Sequence, residues 1–313
     1  MAPPDSPAEH IREVNTRYHD VAAGDYDRKW GIDFDALGTN QVTAKLRKAL
    51  GGDDVGHFGR GLEIGAGTGY FSLNLMRAGV LDSVVCTDIS PGMLSELEVN
   101  ARRLGFGDRV HTQVGEAESL PLESASFDLI VGHAVLHHLP DLPAAFFEFR
   151  RLLRPGGTLV FAGEPSRHGD RIAAVPKRGA AKLAPLWRRA VRARPLVHAH
   201  GSSEEEIAAA AGHALERFVD VHTFTPDKLA SLARGAGLTG VRVVGEELLA
   251  NWFGWANRTL EASADPESVP WLWRQYAYRG YLALQAVDAK LLERRLPPGL
   301  FYNLLLSARR PSA

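Results

Sequence analysis

A doubly wound α/β fold, with helices on both faces of a largely parallel sheet, is predicted for this chain of 313 residues. Two observations predict it. Between residues 60 and 162, short apolar runs alternate with segments of helical periodicity, which is typical of successive strand–helix units. The first of these runs ends in a turn with glycine on alternate positions, Gly65, Gly67 and Gly69.

The first predicted strand, Gly61 to Ile64, passes through this glycine turn into a helix that starts at Tyr70. Glycine is needed at such a corner because the chain turns sharply and a ligand must approach the bare backbone. The spacing differs from that of a dinucleotide site, and no P-loop lysine follows. The pattern favours a nucleotide-binding corner, and a glycine-rich turn in an unrelated doubly wound domain is the alternative.

Strands 2 and 3 are predicted at Ser83 to Thr87 and at Arg109 to Val114. Ser90 and Pro91 begin the helix between them, because serine is a common N-cap and proline fits the first helical position. Asp88 stands at the carboxyl end of strand 2. An acidic side chain at that place in this topology accepts both hydroxyls of a ribose.

Strand 4 is predicted at Phe127 to Gly132 and strand 5 at Thr158 to Ala162. The helix between them is capped by Asp141, and a turn is predicted at 154–157.

The two ends of the chain complete the fold. Helices are predicted within Ala8 to Tyr26 and over Thr39 to Leu50. Thr225 caps a later helix, and Val241 to Gly245 and Tyr302 to Ser307 are predicted as strands 6 and 7.

Four motifs carry a family resemblance. Leu62-Glu-Ile-Gly-Ala-Gly-Thr-Gly69 resembles the first motif of the class I S-adenosylmethionine-dependent methyltransferases. The segments at 127–131, 134–141 and 153–157 resemble the type 11 subgroup of that superfamily. The resemblance implies a Rossmann-like sheet of seven strands, in which the antiparallel last strand lies between strands 5 and 6.

This topology divides the chain into six expected segments. They are an N-terminal helical cap at 1–56, a cofactor-binding Rossmann-like core at 57–166, a basic helical insertion at 167–224, a core helix and strand 6 at 225–246, a Trp/Tyr-rich helical insertion at 247–300, and strand 7 with a tail at 301–313. Both insertions emerge at the carboxyl edge of the sheet, where open α/β sheets bind ligands.

The resemblance also implies a cofactor, S-adenosyl-L-methionine, with S-adenosyl-L-homocysteine as product. Its ribose is expected on Asp88, one face of its adenine on Ile89, the edge of its adenine at Glu116 and Ala117, and its methionine moiety at His133. The matching positions are Tyr18, Tyr26, Glu63, Gly65, Ala66, Gly67, Gly69, Asp88, Ile89, Met93, Glu116, Ala117 and His133. For Glu116 the alternative is a solvated loop carboxylate. For the segment holding Tyr18 and Tyr26, the alternatives are a cover over the cofactor and a solvent-facing helix docked on the core.

A hydroxyl or ammonium acceptor must lose a proton when it is methylated, and histidine and desolvated carboxylates suit that role near neutral pH. His137 and His138 follow strand 4, and Glu164 follows strand 5, so all three are expected at one edge of the sheet. They are the candidate bases. The alternatives are a histidine that only bonds the backbone and a glutamate that only caps a loop. No metal site is expected.

The basic stretch from Arg167 to Arg194 has three interpretations: a solvated helical face, a site for an anionic substrate, and a segment that touches a membrane surface. Its prolines, at 176, 185 and 195, argue against one long helix. An alanine-rich helix is predicted to start at Ser202.

Aromatic residues mark the second insertion. A stripe of helical spacing predicts core packing against the sheet, and it comprises Trp273, Tyr276, Gly280, Leu284, Val287 and Leu291. Trp252, Trp255 and Tyr278 fall off this stripe and are predicted to line an apolar substrate pocket.

Composition narrows the class of protein. A formal net charge of -1 gives no footprint for nucleic acid, and the single cysteine, Cys86, excludes a disulfide framework and fits a reducing cytoplasm. No run approaches the ~18 apolar residues of a membrane span, so peripheral contact is the most that is expected. Cytoplasmic localisation and a bacterial source are expected; the oligomeric state is left open.

The sequence therefore predicts a methyltransferase of EC class 2.1.1 that acts on a small, hydrophobic or aromatic molecule, with oxygen as the favoured acceptor atom. Three alternatives stay open. They are another reaction on the same cofactor, such as a cyclisation or rearrangement, a non-catalytic binding protein, and a lipid-directed methyltransferase at a membrane surface.

Overall fold

The structure is a computed structural model and describes residues 7–25, 27, 32–52, 55–196 and 221–312. Its strands are β1 Phe58–Ile64, β2 Leu81–Asp88, β3 Val110–Val114, β4 Phe127–His133, β5 Leu153–Pro165, β6 Thr239–Glu246 and β7 Asn303–Arg309. Its α-helices are α1 Pro7–Ala22, α2 Ala36–Leu50, α3 Tyr70–Arg77, α4 Pro91–Arg103, α5 Leu142–Leu152, α6 Arg167–Val191, α7 Pro226–Gly235, α8 Leu249–Glu261 and α9 Trp271–Val287.

The seven strands form one sheet in the order β3-β2-β1-β4-β5-β7-β6. Strand β1 pairs in parallel with both β2 and β4, so that Ile64 lies opposite Thr87 on one side and Gly132 on the other. The strand order reverses between β1 and β4, and ligands of open α/β sheets bind at the carboxyl edge of such a switch point. The predicted place of an antiparallel β7 between β5 and β6 is confirmed.

Local sequence signals predicted three helix starts correctly. The side chains of Ser90, Asp141 and Thr225 each accept a hydrogen bond from the backbone N–H three residues later. Gly51 ends α2 with a φ of 77°, the left-handed conformation that glycine adopts without strain.

The predicted turn at 154–157 is wrong, because these residues belong to β5. Gly156 takes a φ of 79°, and the register between β4 and β5 shifts after Phe127, which bends the strand without ending it. The backbone N–H of Gly156 donates to the carbonyl of Arg310, whose own N–H donates to Gly157, so the pairing continues through the bend. Glycine therefore marks an irregularity within a strand here.

The core of the sheet is apolar and closely packed. Strand β4 and the middle of β5 are buried, and Phe149 packs on Phe161 with ring centroids 5.2 Å apart. Cys86 is buried in β2, and burial raises the pKa of its thiol well above the ordinary value.

The chain forms two compact units. The first comprises Met1–Glu164, Ile207–Val243 and Leu305–Ala313, and the second comprises Pro165–Glu206 and Val244–Leu304. The second unit therefore consists mainly of residues from the two predicted insertions. Within the described ranges, no helix combines the length and apolarity needed to cross a bilayer.

Helix α6, in the second unit, continues through Pro176 and Pro185, contrary to the expectation that the prolines would interrupt it. Each proline removes one backbone N–H and crowds the preceding turn, at a cost of about 3 kcal/mol. Burial of one helix face offsets this cost, and that face holds Gly169, Ala173, Ala180, Ala184 and Trp187. The alanine-rich helix predicted from Ser202 lies outside the described residues.

The aromatic stripe of α9 was predicted to be core, and that prediction is wrong. None of the residues of α9 is buried, and Tyr276 is 55% exposed. Leu291, which follows the helix, is 51% exposed. Trp273 alone reaches a buried cluster, where its ring lies 5.2 Å from that of Trp187. Helical spacing shows that residues share a face, but it does not show whether another element covers that face.

Candidate active site

A partly open cavity lies in the first unit at the carboxyl ends of β1, β2, β3 and β4. Five regions of sequence contribute to it, namely helix α1, the glycine turn, the end of β2, the loop after β3 and the loop after β4. The lining residues are Arg12, Asn15, His19, Ile64, Gly65, Gly67, Thr87, Asp88, Ile89, Gly115, Glu116, Ala117, Glu118, His133, Ala134, Val135, His138, Leu139 and Pro140.

The glycine turn presents bare backbone to this cavity. Gly65 and Gly67 have φ values of 60° and 52°, a conformation that side chains with a Cβ rarely adopt. A Cβ on Gly65 would also meet Val135 Cγ2 at 2.3 Å. The turn and the loop after β4 can approach each other this closely only with glycine at that position.

Asp88 connects the glycine turn to the next helix. Its side chain is 9% exposed, and its two carboxylate oxygens accept hydrogen bonds from the backbone N–H groups of Gly67 and Ser90, each at 2.9 Å. Because each oxygen keeps a second lone pair, the carboxylate can also accept from a ligand in the cavity that it lines.

Glu63, also predicted at the site, does not line the cavity. It is buried in β1 and accepts a hydrogen bond from the backbone N–H of Ser72 in the first turn of α3, at 3.1 Å. Desolvation by burial raises its pKa to about 8, against a smaller opposing effect of the hydrogen bonds from Ser72. Glu63 therefore holds the start of α3, the helix that follows the glycine turn, and does not face the cavity. Ala66, Gly69 and Met93 are likewise not among the lining residues.

The raised pKa of Glu63 makes stability depend on pH. Since the folded-state pKa of about 8 lies above the ordinary value of 4.5, the folded protein holds a proton that the unfolded chain releases. The resulting stability is fully present below 4.5 and is lost as pH rises towards 8. We expect wild type to lose stability relative to Glu63→Gln by about 1.4 kcal/mol per pH unit across this window. Urea unfolding at pH 5.5 and 7.5 measures this, and a constant difference between the two proteins would contradict it.

The N-terminal segment lies over the cavity. Arg12, Asn15 and His19 share one face of α1, at i, i+3 and i+7, and all three line the cavity. Arg12 pairs with Glu116 at 3.1 Å, so Glu116 is an ion-paired residue of the cavity wall. Asp20 accepts hydrogen bonds from the Ser90 hydroxyl and the Gly92 N–H.

A second anchor follows α1. The carboxylate of Asp27 accepts hydrogen bonds from the Thr68 hydroxyl and, at 3.3 Å, from the amide of Asn100. Of the two interpretations of this segment, these contacts favour the cover over the site. Tyr26 and the side chain of Tyr18 lie outside what the structure describes.

Asn15 is a lining residue that sequence reasoning missed. It is 2% exposed, and its Nδ2 donates to the carbonyl of Ile11. Its Oδ1 has no hydrogen-bond partner among the described residues. A buried acceptor without a partner costs about 1–3 kcal/mol, so a donor group of a ligand would be stabilised there. The signal in the sequence that could have found Asn15 is its spacing with Arg12 and His19, which places the three on one face of the helix.

The loop after β4 is held by Glu164. This side chain is fully buried, and its carboxylate accepts from the backbone N–H groups of Val135, Leu136 and His137 at 3.0, 3.0 and 3.2 Å. It also lies 2.9 Å from His137 Nδ1. Four donors on one carboxylate fix both the loop backbone and the imidazole of His137.

The three candidate bases lie together, but they differ in access to the cavity. His138 lines it, whereas His137 is buried behind His138, with ring centroids 3.9 Å apart. Neither His137 nor Glu164 is a lining residue. The ring of His19 meets that of His138 edge-on, with centroids 5.9 Å apart. His133, which lines the cavity from the end of β4, stacks on Phe71 with centroids 5.7 Å apart.

The predicted substrate residues lie in the second unit. Trp252 and Trp255 are half-buried on α8, and Tyr278 on α9 is 45% exposed. Two cations already face the Trp255 ring, Lys177 Nζ at 3.7 Å and the Arg258 guanidinium at 5.7 Å from its centroid. These three aromatic residues are not part of the cavity described above.

Comparison with solved structures supports the fold. The structure is similar to phosphoethanolamine N-methyltransferase 2 of Haemonchus contortus in complex with S-adenosyl-L-methionine, with a TM-score of 0.58 and 17% identity, covering 96% of this chain and 60% of the other. It is also similar to a 4+2 cyclase, with a TM-score of 0.54 and 16% identity, covering 97% of each chain. At such identities the likeness shows the fold alone.

The fold, the strand order and the glycine-lined cavity are those of a class I methyltransferase domain. Residues 62–161 match the type 11 family model, which is described as a methyltransferase domain. A curated relative is the malonyl-acyl-carrier-protein O-methyltransferase of Methylococcus capsulatus, 37% identical over 147 residues, which are 44% of this chain. The chain spans about half the length of that relative, 52%.

Proposed function

We propose that this chain is an S-adenosylmethionine-dependent O-methyltransferase whose acceptor is activated beside His138. One observation carries the proposal: a single cavity is lined by the bare glycine turn, by the buried carboxylate of Asp88 and by a histidine. The first two suit a nucleoside, and the third suits the removal of a proton from an acceptor.

The residues present fit the cofactor. Asp88 is the proposed acceptor for the ribose hydroxyls, Ile89 packs on one adenine face, Glu116 and Ala117 face the adenine edge, and His133 faces the methionine moiety. Asn15 Oδ1, which is buried without a partner among the described residues, offers an acceptor to an amino or hydroxyl group of the ligand. When bound, the cofactor supplies a methyl group that its sulfonium already activates.

The task of the protein is then to position the acceptor and to remove its proton. His138 takes the proton of an acceptor hydroxyl as the methyl group passes from sulfur to oxygen, leaving S-adenosylhomocysteine and the methyl ether. His137 and Glu164 act as positioning residues, because Glu164 holds His137 at 2.9 Å and His137 lies against His138. Helix α1 covers the cavity and keeps water away from the reacting atoms.

A hydrophobic or aromatic acceptor is the first substrate class that we propose. The curated relatives, which are malonyl-acyl-carrier-protein O-methyltransferases, support a second class, a malonyl group on an acyl carrier protein. The two differ in chemistry. A carboxylate oxygen is already ionised at neutral pH and needs no base, whereas a hydroxyl needs one.

His138→Gln distinguishes these acceptors. With hydroxyl acceptors we expect kcat to fall about 100-fold or more while the affinity for S-adenosylhomocysteine stays unchanged, because the variant loses only the proton acceptor. With a malonyl thioester we expect little change in kcat. Transfer of label from methyl-labelled donor measures both rates, and His57→Gln, an exposed histidine paired with Asp82, is the matched control.

Two results would contradict the proposal. Full activity of His138→Gln on hydroxyl acceptors would show that His138 is not the base. Product formation without release of S-adenosylhomocysteine would replace methyl transfer by another reaction on the same cofactor, such as a cyclisation.

A further inference from the structure

Helix α6 divides into three faces along its length. The face packed within the second unit holds small residues and Trp187. A second face carries cations at i, i+4, i+11, i+15 and i+22, which a helix of 3.6 residues per turn places in one row. These cations are Arg167, Arg171, Arg178, Lys182 and Arg189.

The cation row is exposed and has no acidic counterpart in the described part of the chain. All five side chains are exposed, and none of them forms an ion pair with a described residue. Lys177, which does pair with Asp170, lies on another side of the helix. The row extends over about 33 Å at 1.5 Å per residue. This row gives one side of the helix a cationic surface, which favours an anionic partner.

The third face of α6 lies beside the cation row and is apolar. Val175, Leu183 and Leu186 are 70%, 57% and 65% exposed there. Large exposed apolar side chains are concentrated in this unit, which holds eleven of the fifteen found among the described residues. Trp271 and Leu272, at the start of α9, are the most prominent of the others, at 67% and 73%. Exposure on this scale marks a surface of interaction.

We propose that this cation–apolar face of α6, comprising the five cations together with Val175, Leu183 and Leu186, binds the surface of an anionic lipid bilayer. The two rows run side by side along one helix, so a lipid surface can engage both at once. Aliphatic side chains then enter the boundary between headgroups and acyl chains, and the adjacent cations meet lipid phosphates. The inference is independent of the proposed methyl transfer, since it uses neither the cavity nor the cofactor.

Flotation with vesicles tests the proposal on the full chain. We expect binding to vesicles of phosphatidylglycerol, loss of binding at 0.5 M salt through screening, and no binding to phosphatidylcholine alone. Arg178→Glu/Arg189→Glu should lower the partition coefficient at least about 30-fold, since each lost surface cation contributes about a fivefold factor and the added carboxylates repel the anionic surface. Leu183→Ser/Leu186→Ser should lower it about tenfold.

The control variant is Lys228→Glu/Arg234→Glu, which makes the same change in net charge at two exposed cations of α7 in the first unit. It should bind vesicles like wild type. Circular dichroism shows whether each variant is folded, and the salt dependence of wild type needs no variant. Failure of wild type to bind anionic vesicles, or equal loss in the α7 control, would overturn the proposal. Binding to a purified acidic carrier protein through α6, without vesicle binding, would assign the face to a protein and also overturn it.

Discussion

Asp88→Ala is expected to weaken the binding of S-adenosylhomocysteine by at least about 100-fold. The substitution removes a buried carboxylate that accepts from Gly67 N and Ser90 N and that is the proposed partner of the ribose hydroxyls. Hydrogen bonds to a charged group contribute about 1.5–3 kcal/mol each, so loss of the ribose pair alone accounts for a change of this size. Isothermal titration calorimetry of the variant and wild type measures it.

Asp82→Ala is the matched control for that experiment. Asp82 lies on the same strand, is 64% exposed and pairs only with the exposed His57 in the described structure. Its removal should leave the affinity within a factor of two or so, because exposed ion pairs contribute little. Equal affinities of wild type and Asp88→Ala would contradict the assignment of the ribose site.

Glu164→Ala is expected to lower the free energy of unfolding by more than about 3 kcal/mol. The substitution leaves three buried backbone N–H groups and His137 Nδ1 without the carboxylate that binds them. Each unsatisfied buried donor costs about 1–3 kcal/mol. Urea unfolding measures the change.

Glu164→Gln separates shape from charge, since an amide keeps one accepting oxygen but adds a donor that faces other donors. We expect the free energy of unfolding of Glu164→Gln to lie between those of wild type and Glu164→Ala. Glu123→Ala, at an exposed loop position before β4, is the control and should change stability by less than about 0.5 kcal/mol. Wild-type stability of Glu164→Ala would show that the loop after β4 is held by something other than this carboxylate.

The strands and the helix caps of the first unit were predictable from the sequence because each rests on a local rule, whereas the place of the last strand came from the family resemblance. Ser90 and Asp141 cap helices by side-chain chemistry that operates within three residues. The course of α6 through Pro176 and Pro185 was not predictable in this way. Its continuation depends on packing of a helix face, which no local pattern contains.

The residues of the site also divide into those that a sequence pattern predicts and those that depend on contacts formed only in the folded chain. Gly65, Asp88 and His138 were found from their order along the strands, and all three line the cavity. Arg12 and Asn15 were missed, because polar residues at helical spacing have the same pattern on a solvent face as on a face that covers a pocket. Glu63 was assigned to the cofactor because its place in the motif is visible in the sequence, whereas its contact with Ser72 is not.

The central claim is that the cavity beneath α1 holds the methyl donor, and a crystal structure of the chain with S-adenosylhomocysteine tests it most directly. The account predicts the ribose hydroxyls within hydrogen-bond distance of Asp88, the adenine beside Glu116 and Ala117, and the sulfur on the side of the cavity that His138 lines. Density for the ligand at another place, with Asp88 bonded only to Gly67 and Ser90, would contradict it.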